Sequence, residues 1–440
     1  LATWDSGPVG DGAADDDIRD TYLDSPANRS AEVFRMNEML TLDAALDRLL
    51  AAARPVADTE TVSTFAAAGR VLAADQRSTL TVPPHDNSSM DGYAVRLADL
   101  DAPGCCLPVS QRIPAGHVGA PLAAGTCARI FTGAPVPPGA DAIVMQEATR
   151  TTEAGVCFDE IPKAGAWIRR AGEDIREGDI VLAAGARLRA QEVGLAASIG
   201  LADLPVVRRL RVALFSTGDE LVMPGEPLPP GGIYNSNRYT LRALCETLGC
   251  EVLDLGIVPD RLDATRAALR EAAASCDLIL TSGGVGVGEE DHIKPALTAE
   301  GGLDSWKIAM KPGKPLAHGH VKRADGGHAD FLGLPGNPVS SFVTFLLLVR
   351  PFILRRMGVA DVTPQPFMVR ADFDWPRPDR RREFLRVRRN ADGGLELFPN
   401  QSSGVLTSTV WGSGLADIAA GQVVKRGDTV PFLSFESLLY

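Results

Sequence analysis

Three glycine-rich turns, each directly after an apolar run, constrain this chain more than any other feature: Ser216-Thr217-Gly218-Asp219-Glu220, Ser282-Gly283-Gly284-Val285-Gly286-Val287-Gly288 and Gly333-Leu334-Pro335-Gly336-Asn337-Pro338. Residues 211–215, 251–257, 278–281 and 331–334 read as buried strands, and 237–248 and 263–275 have helical periodicity. Strands alternating with helices require right-handed crossovers and therefore a doubly wound α/β sheet. In such a sheet ligands gather beyond the carboxyl ends of the strands, where bare N–H groups and helix N-termini favour an anion. Lys307, Lys311 and Lys314 lie between the second and third turns and add mobile cations. The run 306–310 alternates as a strand, which predicts Lys307 and Lys311 on one face. The rigid Lys311-Pro312-Gly313-Lys314-Pro315 turn follows, and compact ammonium charges suit a tetrahedral oxyanion.

The net charge of −12 argues against nucleic acid as a partner, because phosphate-backbone binding draws on broad clusters of Lys and Arg. Any anionic ligand must be met locally. The most apolar run, 342–349, is closed by Arg350 and Pro351 and falls short of the roughly 20 residues that span a bilayer, so it reads as a buried helix with no membrane role. No charged-then-apolar leader opens the chain, and the expectation is a cytoplasmic protein. Seven cysteines without a C-x-x-C pair read as reduced core thiols, with Cys105-Cys106 as turn residues after Pro103-Gly104. His318 and His320 share a strand face but have no third metal ligand nearby in sequence.

With 440 residues and 45% apolar content the chain is long enough for about two to four domains. Residues 1–36 read as an acidic flexible tail. The spacing of Leu42, Ala45, Leu46, Leu49 and Leu50 predicts a helix, and a second is predicted over 66–72. Residues 37–80 plus 165–205 read as a discontinuous helical/mixed domain, into which a β domain (81–164) is inserted. The α/β domain follows at 206–358, and the alternation at 383–388 and 395–398 marks 359–440 as a small all-β domain.

Glu289-Glu290-Asp291 directly after the second turn are helix-dipole partners on one reading. On another, Asp291 holds Mg²⁺, which prefers one or two carboxylates plus phosphate oxygens, and Asp219 and Glu220 stand at the equivalent end of the first strand. Both readings remain open on the residues alone. The loop Pro84-His85-Asp86-Asn87-Ser88-Ser89-Met90-Asp91-Gly92 is either a dense set of turns or an array of oxygen ligands; Thr132-Gly133-Ala134-Pro135 and Gly172-Glu173-Asp174 are similar, weaker candidates.

Taken in order, Asp86-Asn87-Ser88-Ser89-Met90-Asp91-Gly92-Tyr93-Ala94, Phe131-Thr132-Gly133-Ala134-Pro135-Val136-Pro137, Arg170-Ala171-Gly172-Glu173-Asp174, the three glycine turns and the Lys311–Pro315 turn resemble the MoeA-type molybdopterin molybdenumtransferases, the family that includes the gephyrin E domain. The resemblance runs from about Met39 to the C-terminus. It implies a helical/mixed domain, an inserted β domain, a MogA/MoaB-like α/β domain and a C-terminal β-barrel. It also implies a homodimer whose active site joins the α/β domain of one subunit to the Asp86 loop of the other. The implied reaction inserts molybdenum from molybdate into adenylylated molybdopterin with Mg²⁺, releasing AMP. Transient contacts with a molybdopterin adenylyltransferase and with molybdoenzyme maturation factors follow from that role.

Carried over residue by residue, the resemblance implies that Asp86, Asp174, Glu220, Asp291, Lys307 and Lys311 do the catalytic work. Asp86, Asp174, Glu220, Asp260 and Asp291 would hold Mg²⁺ or orient water and the dithiolene, with Asp86, Glu220 and Asp291 as the expected metal carboxylates. Gly283, Gly284, Gly286 and Asn337 would shape the phosphate pocket, Asp219 would support the first turn, and Thr132, Lys314, Pro335, Arg386 and Ser403 would complete the ligand-binding set. Three positions depart from the family's pattern: Gly286 in place of Ser, Asn235 in place of Asp, and His292 in place of Tyr. The α/β domain also resembles the molybdopterin adenylyltransferases, and a gephyrin-like scaffold is a further alternative.

Overall fold

The computed structural model describes residues 39–284 and 292–439. The predicted tail over 1–36, Gly286 and Asp291 lie outside the described residues. Residues 39–57 with 208–439 form one unit, and 58–207 form a second.

In the first unit the Thr41 hydroxyl accepts from the Ala44 N–H and caps helix α1 (Leu42–Ala52), which buries Leu42, Ala45 and Leu49. Strand β1 (Arg211–Thr217) is buried at every residue after the first, as a strand covered on both faces must be. Helix α2 (Ser236–Thr247), β2 (Glu251–Val258), α3 (Leu262–Ser275), β3 (Leu278–Ser282) and α4 (Ile293–Glu300) follow. Then come β4 (Gly301–Lys307), β5 (Met310–Lys311), β6 (Pro315–Lys322), β7 (His328–Leu334) and helix α5 (Pro338–Arg356). Six of these strands make one sheet in the order β2-β1-β3-β7-β6-β4, parallel from β2 to β7 and antiparallel across β6 and β4. Phe215, Ile279 and Phe331 meet Leu269 of α3 and Leu297 of α4 on one face, while α2 covers β1 and β2 from the other and contacts α5.

Several expectations for this unit are corrected. Helix α5 does not stop at Arg350-Pro351. Phe345–Val349 forms a π-turn, and α-helical bonding restarts at Arg350 with Pro351 in its first turn, where the missing N–H is not needed. The helix is 19 residues long and apolar, but 83% of its most apolar stretch is buried, which makes it a core helix. The stretch after Trp306 is not one strand either: β4 ends at Lys307, Ile308 bridges Leu40, and β5 pairs in parallel with β9 in a different sheet. Lys307 and Lys311 therefore do not share a strand face. Helix α1 packs on α5, within the unit that holds 208–439.

The C-terminal part holds β8 (Phe367–Arg370), β9 (Arg382–Arg389), β10 (Leu395–Leu397), β11 (Gly414–Ile418) and β12 (Thr429–Ser434). Their sheet runs β5-β9-β11-β12-β8, with β10 on β9, over a core that includes Phe373, Leu385, Val387, Ile418 and Phe432. The expected barrel is not closed: its end strands β5 and β8, of two and four residues, do not pair with each other.

The second unit is built from small sheets. A four-stranded one orders Val109–Ile113, Cys127–Ile130, Gly92–Val95 and Ala142–Met145, and Thr59–Ser63 pairs with Asp203–Val207 beside the helix Ala190–Ser198. The helix predicted over 66–72 is a single 3-10 turn, Thr64–Ala66, because the chain reverses at Gly69 and Leu72 then bridges Val206. The all-thiol expectation is corrected as well. Cys106 and Cys157 stand opposite each other on antiparallel strands and form a disulfide, whereas Cys127, Cys245, Cys250 and Cys276 are buried free thiols.

That disulfide closes a loop with a sequence separation of 51, which on chain-entropy grounds stabilises by about 4 kcal/mol. Thermal melts with and without reductant are expected to show a lower midpoint for the reduced protein, matched by Cys106→Ser; coincident melts would remove the disulfide from the fold's stability.

Candidate active site

The chain leaves β1 toward β2 on one side and returns to β3 on the other, so the winding reverses between β1 and β3. This is a topological switch point, where an open α/β sheet leaves a crevice at the strands' carboxyl ends. A cleft of about 770 Å³ opens there, lined by Thr217, Gly218 and Glu220 after β1, Asp260 after β2, Gly283 and Gly284 after β3, and Pro335, Gly336 and Asn337 after β7. Its outer wall is the Lys311-Pro312-Gly313-Lys314-Pro315 turn with Ser340, Arg381, Gln401, Ser402 and Ser403.

The three glycine turns brace one another. Gly283 has φ +87°, its N–H donates to the Leu334 carbonyl (3.1 Å), and a Cβ there would lie 3.0 Å from the Thr217 carbonyl oxygen. At Gly218 a Cβ would stand 2.6 Å from Oε2 of Glu220, so the glycine lets that carboxylate fold back over its own turn. Asn237 Nδ2 donates to the Gly336 carbonyl (2.7 Å), tying α2 to the third turn. Beneath them Ser216 and Ser282 hydroxyls meet at 3.2 Å. Asn235 caps α2 through Oδ1, but its buried Nδ2 has no hydrogen-bond partner among the described residues.

The cations sit on the opposite wall. Lys311 Nζ lies 3.2 Å from Oε1 of Glu383 and 3.4 Å from Oδ2 of Asp379. Burial works against ionisation of Asp379, but hydrogen bonds from Arg381 and the Lys311 charge outweigh it and hold the carboxyl well below the usual range. The Val339 N–H at the start of α5 donates to the Ser403 carbonyl (3.0 Å), fixing the loop 401–403 against the helix entry.

Of the residues singled out from sequence, Glu220, Asp260, Gly283, Gly284, Lys311, Lys314, Pro335, Asn337 and Ser403 line this cleft. Asp219 is exposed on the first turn beside it, and Lys307 is exposed at the end of β4, away from the lining. Arg386 is 1% exposed and reaches the site only indirectly. Its guanidinium donates to Ser408 Oγ (3.1 Å) and the Ser402 carbonyl (3.2 Å), and burial pushes it down to about 10. In the second unit Asp86 accepts from Arg170 (2.6 Å) and the Ala171 N–H (2.9 Å). The Ala171 bond, with Arg170 assisting against burial, keeps Asp86 ionised below the usual carboxylate range. Thr132 donates to Asp91 through both its N–H and its hydroxyl (2.8 Å each), and Asp174 is exposed.

Sequence reasoning missed Glu383, Asp379 and Arg381, which look like a solvated charge run. A signal was present: Glu383 has the same strand parity as Leu385 and Val387, both buried, so it occupies a core position.

Residues 40–200 match the MoeA N-terminal region (domain I and II), residues 213–355 a probable molybdopterin binding domain, and residues 368–435 the MoeA C-terminal region (domain IV). The chain belongs to the MoeA family. The molybdopterin molybdenumtransferase of Haemophilus influenzae is 45% identical over 322 residues, 73% of this chain and 78% of that protein. That of Synechococcus elongatus is 35% identical over 395 residues, 87% and 96% of the two chains. A crystal structure of the molybdopterin biosynthesis moeA protein from Pyrococcus horikoshii OT3 superposes with a TM-score of 0.78 at 27% identity, covering 90% of this chain and 100% of its own.

Gly283→Ala places a Cβ at positive φ against the Thr217 carbonyl and is expected to cost about 1–3 kcal/mol. A chemical denaturation midpoint unchanged from the native chain would show that the second turn tolerates a side chain and does not depend on close backbone approach.

Proposed function

We propose that this chain inserts molybdenum from molybdate into adenylylated molybdopterin, releasing AMP. The observation that carries the reading is the mixed charge of the cleft: Glu220 and Asp260 at the strand ends line it together with Lys311, Lys314, Arg381 and the glycine turns. The turns offer N–H groups to a phosphate, and the cations offset the charge of a tetrahedral dianion. Glu220 and Asp260, both in the cleft lining, are carboxylates of the kind that would hold Mg²⁺ together with phosphate oxygens. Among the described residues no group of three or more His, Cys, Asp or Glu forms a cage, and Mg²⁺ is commonly held by one or two carboxylates with phosphate oxygens. Bound there, Mg²⁺ would neutralise the phosphate oxygens and ease charge development at phosphorus.

In this reading water adds at phosphorus and breaks the anhydride P–O bond, AMP leaves, the phosphate stays on the pterin, and the two dithiolene sulfurs displace one molybdate oxygen, which departs as water with the two thiol protons. Lys311 and Lys314 hold the oxyanion near the dithiolene, and the glycine turns orient the phosphate. Asp291, which follows the second turn in sequence, would add a further carboxylate, and Gly286 lacks the hydroxyl of the family's serine and has greater backbone freedom. Arg386 and Ser403 would act on the oxyanion through the loop 401–403. The chain works as a homodimer in which the partner subunit's Asp86 completes each site, with Thr132 and Asp174 from the same unit in support. A molybdopterin adenylyltransferase would supply the substrate.

The test is AMP release and molybdenum cofactor formation from adenylylated molybdopterin with molybdate and Mg²⁺. Lys311→Ala is expected to lower kcat/KM by about 10²-fold, and Glu220→Gln to raise the Mg²⁺ requirement about tenfold. A native chain that binds the substrate but yields no AMP would overturn the reading. Mixing Lys311→Ala with Asp86→Asn subunits is expected to restore about a quarter of native activity, since half the sites of each mixed dimer are intact; no recovery would place both groups in one subunit's site.

A further inference from the structure

Glu383 is 1% exposed, which is costly for a carboxylate unless its charge is answered. One oxygen is fully used: Oε2 accepts from Trp375 Nε1 (2.8 Å) and from the Asp379 N–H (3.0 Å). The other, Oε1, is buried and receives no directed hydrogen bond. What faces it is the Lys311 ammonium at 3.2 Å, and β5 and β9 place Lys311 and Glu383 directly opposite each other in register. Asp379 flanks the same ammonium at 3.4 Å, while the Lys311 side chain keeps 44% exposure into the cleft.

Two carboxylates engage at most two of the ammonium's three N–H groups, so they fix its position and leave one for a ligand oxygen. An unrestrained lysine is a mobile point charge on a four-carbon stem. We propose that Glu383, with Asp379, is a positioning residue that holds Lys311 as a fixed donor for the incoming tetrahedral oxyanion. The proposal rests on the reading of the cleft as a molybdate site. It assigns to the C-terminal sheet a direct part in oxyanion affinity: the residue that carries the charge comes from the α/β domain, and the residue that aims it comes from β9.

Glu383→Gln isolates the effect. A glutamine carbonyl can accept the Trp375 and Asp379 bonds, but its NH₂ then faces the ammonium, donor against donor. Calorimetric titration of the full chain with molybdate is expected to show roughly tenfold weaker binding for Glu383→Gln, and steady-state assays a matching rise in KM for molybdate with KM for adenylylated molybdopterin unchanged. In a Lys311→Ala background Glu383→Gln should add no further loss, whereas a merely structural role would weaken binding in both backgrounds. Asp379→Asn, at the more exposed carboxylate, is expected to act in the same direction and covers the case in which Glu383→Gln fails to fold. Equal molybdate affinity in the native and substituted chains overturns the positioning role alone. A folded native chain that takes up no molybdate overturns the reading of the cleft and this proposal with it.

Discussion

The departure of Met310 and Lys311 from the α/β sheet is the constraint on which the rest of the site depends. β4 ends at Lys307, and within three residues the chain has joined the C-terminal sheet through β5, in parallel with Arg382 and Glu383. It then returns to the α/β sheet as β6. The Lys311–Pro315 turn is thus held at both ends by different sheets. Gly313 packs so closely on α5 that a Cβ would meet Thr344 Oγ1. No side chain could be added there without pushing the turn, and its two lysines, off the helix. Backbone pairing sets where the Lys311 side chain leaves the backbone, and the carboxylates of Glu383 and Asp379 set where its ammonium ends.

That geometry also explains which features could be read from the residues. The parallel strands and crossover helices announced themselves because a strand buried on both faces is a continuous apolar run, and a covering helix has a 3.6 period. The glycine turns were legible for the same local reason. What could not be read was everything decided by pairing between distant segments. The 306–310 run alternates, yet its second half belongs to another sheet, and Pro351 looks like a stop signal that a π-turn removes. Cys106 and Cys157 become partners only because two strands, far apart in sequence, run antiparallel in register.

The site residues divide along the same line. Glu220, Gly283, Gly284, Lys311, Lys314 and Asn337 lie on the glycine and lysine turns, and those turns are where strand ends or edges meet the crevice. Arg386 was singled out as a ligand residue, but the strand that carries it turns its guanidinium inward, onto the Ser402 carbonyl. Neither an alternating strand nor a resemblance specifies which carbonyl a buried guanidinium will find.

Strand β9 carries two buried charges of opposite sign, Glu383 and Arg386, each 1% exposed. Neither is a stability device, since a buried charge usually gives less than a well-packed apolar side chain of similar volume. They are not each other's partners either. Glu383 faces Lys311, and Arg386 braces Ser402, so each is joined to a different part of the cleft's outer wall. A sheet whose only task was to cover the α/β domain would be better served by Leu or Phe at both positions. Two charges kept at this cost, one against Lys311 and one against the Ser402 carbonyl, tie β9 to two separate parts of the cleft's outer wall, and only Glu383 does so through the turn that holds the lysines.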